Sequence, residues 1–66
     1  MNNKIKIQRA IRDVTQAQLA EAIGVSRQTI NAMEKNKYVP STVLALKLAK
    51  FFGIAVEELF ELGEND

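Results

Sequence analysis

The chain has 66 residues, 47% of them apolar and 26% charged, with a formal net charge of +1 and neither cysteine nor histidine. This length allows one small domain with a thin core, and it excludes disulfides and Cys/His metal sites as stabilising staples. No apolar run approaches the roughly 18 residues of a membrane span, and no signal-type segment opens the chain. We expect a single cytoplasmic domain over residues 1–66, with no metal, no cofactor and no membrane partner.

The charges are unevenly distributed along the chain. All nine basic residues lie in positions 1–50 beside three acids, which gives that part +6, whereas positions 51–66 carry five acids and no base, which gives −5. A basic body with an acidic tail suits a polyanionic partner that approaches from one side. Chance clustering of charge on a small surface is the alternative.

The first predicted helix spans roughly Ile5 to Arg12. Its apolar residues at positions 5, 7 and 11 do not form one clean stripe, and residues 1–4 could begin as a strand. No alternation of polar and apolar residues is longer than KIKI at positions 4–7, and each glycine stands where a helical pattern stops. The pattern predicts an all-α fold of four or five short helices.

The next two helices are predicted to meet at a sharp turn. Thr15 can cap the first of them, and Gln18 three residues later can complete a capping box. This helix should run to Ile23, because Gly24 can take the left-handed conformation that ends a helix. Ser26 then caps the following helix, so only about three residues connect the two.

The helix that Ser26 begins is predicted to continue to about Asn36. After a loop, residues 41–52 form the next predicted helix, which Ser41 caps. Residues 56–60 form a last short helix that returns to the core.

Residues 16–35 match the template of a helix-turn-helix. Ala20 is small where the second helix crosses the first, and Gly24 can adopt the turn conformation. Ile30 and Met33 form the inward face of the second helix. A generic helical hairpin explains the periodicity but not these constrained positions with two capping signals in register.

Residues 5–60 resemble the phage-repressor and Cro type of prokaryotic helix-turn-helix transcriptional regulators. The stretches that carry the resemblance are TQAQLA at 15–20, GVSRQTI at 24–30 and EKNKYVPS at 34–41. Within that family the chain is similar to the smallest members, which are compact homodimeric repressors. The resemblance implies a five-helix repressor-type fold, a homodimer and a palindromic operator in double-stranded DNA. Small members also pair their terminal strands, and residues 60–62 alternate suitably for a short two-stranded antiparallel sheet.

The outward face of the helix that Ser26 begins carries amide and basic side chains. Glutamine and asparagine can form two hydrogen bonds with adenine, and arginine or lysine can do so with guanine. We therefore expect base contacts in the major groove from Arg27, Gln28 and Asn31. A solvated polar face is the alternative, which any surface helix could offer.

Contacts with the DNA backbone are expected around this face. Gln16 opens the preceding helix, where the helix dipole favours a phosphate, and the resemblance implies that Gln16 also supports Gln28. The other candidates are Ser26, Thr29, Lys35, Asn36, Lys37, Tyr38 and Ser41. Thr29 and Tyr38 could instead serve packing. Phosphate contacts set register and give salt-dependent affinity without sequence information.

The resemblance also implies a structural salt bridge between Arg9 and Glu34, which takes Glu34 away from DNA. Three residues depart from the family pattern. Gln8 stands where an apolar residue is usual, Ile11 where a polar one is usual, and Ala55 where serine or threonine caps the last helix. The orientation of the first helix and the start of the last are therefore open.

Residues 44–66 form the candidate dimerisation region. Leu44 and Phe51 share one edge of their helix, and Phe60 and Leu62 add apolar surface near the end of the chain. A two-fold dimer would set two recognition helices about 34 Å apart, one turn of the duplex. The alternative is that the five helices use all of this surface as core.

These features predict a sequence-specific DNA-binding homodimer that represses transcription by occupying an operator, with activation by direct contact left open. A second hypothesis is a protein-interaction module, such as an antitoxin whose acidic tail binds a basic partner. No enzyme and no small-molecule ligand are expected. The clustered acids Glu57, Glu58 and Glu61 indicate a solvated face rather than a paired catalytic site.

Overall fold

The computed structural model describes residues 1–66 and contains five α-helices and one two-stranded sheet. The elements in chain order are β1 (Asn2–Asn3), α1 (Ile5–Arg12), α2 (Gln16–Ile23), α3 (Arg27–Glu34), α4 (Thr42–Phe52), α5 (Val56–Leu59) and β2 (Phe60–Glu61). The predicted five-helix fold with a terminal sheet is confirmed. None of the helices has the length and apolarity needed to cross a membrane.

Side-chain caps begin three helices at the predicted residues. The hydroxyls of Thr15, Ser26 and Ser41 each accept a hydrogen bond from the backbone N–H three residues later. Gln18 completes a capping box, because its Oε1 accepts the Thr15 N–H at 2.9 Å. Gly24 ends α2 with φ of 78°. These local signals, each worth about 1 kcal/mol, determine the boundaries of α2 and α3.

Two helices end earlier than predicted. The third helix ends at Glu34, since Asn36 adopts the left-handed conformation with φ of 58° and turns the chain away. Asparagine tolerates this conformation better than most residues. The fifth helix ends at Leu59, because Phe60 is extended and begins β2.

The departures from the family pattern in α1 and before α5 do not prevent these two helices from forming. Ala55 has no hydroxyl that could accept the N–H of Glu58, but its own N–H donates to Glu58 Oε1 at 3.1 Å, which is one half of a capping box. In α1, Ile5 is fully buried while Ile7 and Ile11 are exposed. Positions 7 and 11 lie about one turn apart and far around the helix from position 5, so α1 turns two isoleucines outward.

The core is built from the inner faces of all five helices. Its members are Ile5, Leu19, Ala20, Ile23, Ile30, Met33, Leu44, Leu48, Phe52, Leu59 and Phe60. No polar or charged residue is buried among them. Because α2 and α3 make the most extensive contact between helices, the helix-turn-helix is held as a unit against α4.

The two chain ends meet in the small sheet. The strands β1 and β2 are antiparallel, with Asn3 opposite Phe60. The amino group of Met1 lies 2.9 Å from the carboxylate of Asp66. Strand pairing uses main-chain bonds, so the polar side chains of β1 do not prevent it. The sheet brings the N-terminal residues close to the end of α3.

Candidate nucleic-acid interface

The turn between α2 and α3 is fixed by hydrogen bonds of its own. The N–H groups of Gly24 and Val25 both donate to the carbonyl of Ala20, at 2.9 and 3.0 Å. The hydroxyl of Ser26 caps α3 and forms a 2.9 Å hydrogen bond with the hydroxyl of Thr29. The start of α3 therefore has a defined position relative to α2.

One side of α2, α3 and the following loop forms a shallow cleft. It is lined by Gln16, Arg27, Gln28, Asn31, Ala32, Lys35 and Lys37. We call this surface the recognition face. Apart from the alanine, all of its residues are predicted DNA contacts, and it holds three cations and no carboxylate. Its shape and charge suit a polyanion with exposed hydrogen-bonding edges.

The remaining predicted DNA contacts lie around the recognition face. Ser26 and Ser41 are exposed at the N-terminal ends of α3 and α4. The hydroxyl of Thr29 is engaged with Ser26, and the side chain of Asn36 turns toward β1. Tyr38 is exposed and lines a second cleft together with Ser41 and the turn between α2 and α3.

A series of polar contacts links α1, α2 and α3 behind the recognition face, and we call it the polar chain. The guanidinium of Arg9 holds both carboxylate oxygens of Glu34, with Nε–Oε2 of 2.6 Å and Nη2–Oε1 of 3.0 Å. Gln16 Nε2 donates to Glu34 Oε1 at 3.0 Å. Asn31 Nδ2 approaches Gln16 Oε1 at 3.5 Å. Arg9 and Glu34 are thus brought together, and the side-chain oxygen of Gln16 faces Asn31, with no hydrogen bond between Gln16 and its expected partner Gln28.

The geometry favours the ionised form of the Glu34 carboxylate, although its side chain is only 6% exposed. Burial raises the pKa of Glu34, but the hydrogen bonds from Arg9 and Gln16 and the charges of Arg9 and Lys6 outweigh it and leave the pKa below its ordinary value. The same hydrogen bond raises the pKa of Arg9. An ionised carboxylate held in this way can only accept hydrogen bonds.

Asn3 is a residue of the site that the sequence analysis missed. Its Nδ2 donates to the carbonyl of Met33 at 2.7 Å and lies 3.2 Å from Asn36 Oδ1. Asn36 Nδ2 in turn donates to Asn2 Oδ1 at 3.3 Å. The carbonyl of Met33 also accepts the N–H of Asn36 at 3.0 Å, so β1 adds a side-chain hydrogen bond to the end of α3 from outside the helix. A contact across 30 positions leaves no local signal in the sequence.

Of the four residues predicted to form a dimer interface, two are buried in the single chain and two are exposed. Leu44 and Phe60 are each only 8% exposed and belong to the core of the single chain. Phe51 is partly exposed and packs edge-on against Phe52, with 5.2 Å between the ring centroids. Leu62 is exposed after β2. The expected edge of α4 is turned inward at Leu44, because the helix is apolar on more than one face.

A different apolar surface lies between α4, α5 and the N-terminus. It is lined by Met1, Val39, Pro40, Thr42, Ala45, Leu46, Val56 and Phe60. We call it the apolar groove. Val39 and Leu46 are 65% and 56% exposed, so the rim of this groove presents large apolar side chains to solvent. The sequence pattern did not single out either residue.

The comparison with known proteins agrees with this geometry. A family model described as helix-turn-helix matches residues 5–59. The chain belongs to this helix-turn-helix family. An uncharacterised HTH-type transcriptional regulator from Methanocaldococcus jannaschii is 57% identical over 60 residues, which cover 91% of each chain.

Two further relatives bear on the type of regulator. The cryptic phage CTXphi transcriptional repressor RstR from Vibrio cholerae is 37% identical over 65 residues, which cover 98% of this chain and 59% of RstR. The solution structure of the SOS-response transcriptional repressor LexA from Eubacterium rectale superposes with a TM-score of 0.80 at 31% identity, covering 94% of this chain and 66% of that one. The prediction of a DNA-binding transcription regulator of the Cro/C1 type is confirmed.

Proposed function

We propose that this helix-turn-helix protein is a non-enzymatic repressor that acts in the cytoplasm as a homodimer on a palindromic operator. The recognition face carries the proposal. Its amide and basic side chains lie on a capped helix and are not interrupted by a carboxylate. A face of this kind can read base edges and neutralise phosphates at once.

We assign the recognition of DNA bases to the outward side of α3. Arg27 and Gln28 lie in its first turn, the part of a recognition helix that enters the major groove. Asn31 lies one turn further along the same face. Each good bidentate pair with a base contributes about 1–3 kcal/mol of discrimination. Three such residues per subunit are enough for a short, specific half-site.

Backbone contacts are assigned to the residues around that side. Lys35 and Lys37 follow the end of α3 and line the recognition face. Ser26 and Ser41 begin helices whose first N–H groups favour an anion. Gln16, Thr29, Asn36 and Tyr38 complete the proposed set. These contacts fix the register of α3 on the duplex.

The repressor role is supported by the similarity of the chain to RstR, a transcriptional repressor. Repression would require only that the operator overlaps a promoter. A protein bound there blocks polymerase by occupying the same stretch of duplex, which needs no further activity from the chain. Double-stranded DNA and a second copy are then the only partners required.

Dimerisation is assigned to the apolar groove. Val39 and Leu46 leave apolar surface exposed there, and Leu62 follows Phe60 at its edge. A two-fold axis through this surface would make it self-complementary and would cover side chains that a monomer leaves in water. Phe51 lines a separate cleft and takes no part in this arrangement.

In vitro selection of binding sites from random duplexes at moderate salt tests the proposal. We expect a palindrome whose half-sites are centred about 10 base pairs, or a multiple of that, apart. Enrichment of a single asymmetric site would contradict the dimer. Failure to enrich any sequence would contradict specific binding by α3.

A further inference from the structure

The polar chain has a fixed direction of hydrogen bonding. Arg9 can only donate, and the ionised carboxylate of Glu34 can only accept. Gln16 stands 3.0 Å from that carboxylate, so it must turn its NH2 group toward Glu34. Its carbonyl oxygen Oε1 is thereby forced to point the other way, toward the recognition face.

The orientation of Gln16 in turn determines the orientation of the Asn31 side-chain amide. Its side-chain amide lies beside the outward oxygen of Gln16, with 3.5 Å between Asn31 Nδ2 and Gln16 Oε1. In the opposite orientation Asn31 Oδ1 would face Gln16 Oε1, which would set two acceptors against each other with no proton between them. Such an unpaired arrangement is unfavourable, and more so once DNA excludes water.

The fixed orientation leaves Asn31 with one free N–H and one free oxygen. Adenine presents one acceptor, N7, and one donor, N6–H, in the major groove, and this pair matches what Asn31 has left. Guanine presents two acceptors, N7 and O6. To bind guanine in the same way, Asn31 would need two free N–H groups, but one is already directed at Gln16.

We propose that Glu34 and Gln16 are specificity-determining positioning residues that orient the amide of Asn31, so that it selects adenine and rejects guanine. This inference rests on the proposed function, in which α3 reads bases in the major groove. Neither Glu34 nor the NH2 group of Gln16 needs to touch a base. Both act on base choice through Asn31, and the backbone contact proposed for Gln16 carries no sequence information.

The test is site selection carried out in parallel with wild type and variants. Asn31→Ala identifies the base pair that Asn31 reads, since the base preference should be lost at that position of the selected site. Gln16→Met removes the orienting amide and leaves the Arg9–Glu34 pair intact. Glu34→Gln removes the acceptor-only group, so Gln16 can rotate and offer a donor to Asn31. Lys37→Ala is the matched control, because it weakens binding without touching the polar chain.

In the wild type we expect adenine over guanine by about tenfold or more at the position that Asn31→Ala identifies. Gln16→Met should reduce this ratio by about fivefold or more, and Glu34→Gln should in addition raise the share of guanine. The positions that Arg27 and Gln28 read should keep their preferences. Lys37→Ala should bind more weakly and keep the adenine preference, which excludes low affinity as the cause.

Three outcomes would overturn the inference while the proposed function stands. They are a preferred base other than adenine at the Asn31 position, an unchanged ratio in Gln16→Met, and an equal loss of preference at every position. Absence of any enriched site with the wild type would instead remove the proposed function, and the inference with it. Should Glu34→Gln prove unfolded by circular dichroism, Gln16→Met decides, because Gln16 lies outside the core.

Discussion

The side-chain amide of Asn3 donates to the main-chain carbonyl of Met33 at 2.7 Å, so the first strand of the chain caps the last turn of the recognition helix. The carbonyl oxygen of Asn3 accepts the N–H of Ile5 at 3.1 Å and so also steadies the start of α1. Because Asn3 is held in turn by pairing with Phe60, residues from both ends of the chain support the end of α3. The loop that carries Lys35 and Lys37 begins directly after this cap.

Asn3→Ala should therefore weaken both folding and DNA binding. We expect the free energy of unfolding to fall by about 1 kcal/mol, the usual net value of a hydrogen bond, in urea denaturation. DNA affinity should fall to a similar degree on all sequences, since the contacts proposed for the affected loop are with phosphates and not with bases. Asn65→Ala is the control, because Asn65 is exposed and makes no side-chain hydrogen bond. Equal behaviour of the two variants would show that the cap is unimportant.

Leu46→Glu should dissociate the proposed homodimer. A carboxylate in the apolar groove would have to be desolvated against a second copy, which is strongly unfavourable. Light scattering coupled to size exclusion should give a monomer mass for this variant, and affinity for a full palindrome should approach that for a half-site. Ile11→Glu also charges an exposed apolar residue but lies away from the groove, so it should remain a dimer. If Leu46→Glu remains a dimer, the interface lies outside the apolar groove.

Gln28→Ala and Lys37→Ala should separate base reading from phosphate binding. Gln28→Ala should relax preference at one base pair per half-site by about 1–3 kcal/mol and leave the salt dependence of binding unchanged. Lys37→Ala should weaken binding to all sequences alike and reduce the salt slope by about 1 per subunit. Titrations of specific and scrambled duplexes at several salt concentrations distinguish the two effects. Identical profiles would contradict the division of roles within the recognition face.

The ion pair of Glu34 should make stability depend on pH in the acid range. Since its pKa is lower in the folded chain than in the unfolded chain, its contribution is fully present above the ordinary glutamate pKa of about 4.3. The contribution is lost as the pH falls through the lowered folded value. Unfolding free energies from urea denaturation should therefore show wild type more stable than Glu34→Gln at pH 7, with the difference shrinking below about pH 4.

Glu64→Gln is the control for this effect, because Glu64 is exposed and takes part in no salt bridge. Its difference from wild type should remain small and nearly constant over the same range. A Glu34→Gln difference that does not change between pH 7 and pH 3 would mean that the carboxylate charge contributes nothing to the pair.

The helix-turn-helix could be predicted from the sequence because its signals are local. The caps at Thr15 and Ser26 and the glycine at position 24 each act within about three residues, and the apolar positions repeat with the helical period. The end of α3 lies before the predicted residue, because asparagine can continue a helix or leave it in the left-handed conformation, and Asn36 adopts the latter, with its side chain in contact with β1.

The parts that could not be predicted depend on the rotation of helices and on distant contacts. The fourth helix is apolar on several faces, so its pattern did not reveal that Leu44 turns inward while Leu46 faces solvent. Likewise, the types of Gln16, Gln28 and Asn31 suit a hydrogen bond between any two of them. Only the three-dimensional arrangement places the amide of Gln16 beside Asn31.

The turn at Gly24 and Ser26 is held by hydrogen bonds within the single chain, two to the carbonyl of Ala20 and one to the hydroxyl of Ser26. Because these bonds do not involve DNA, we expect binding to require no folding of α3 and little additional loss of chain entropy. The heat capacity change on association should then reflect contact burial alone, without the large negative component typical of coupled folding. Selectivity among operators should depend on the rigidity of this turn, because a preformed helix cannot adapt its position to a mismatched site.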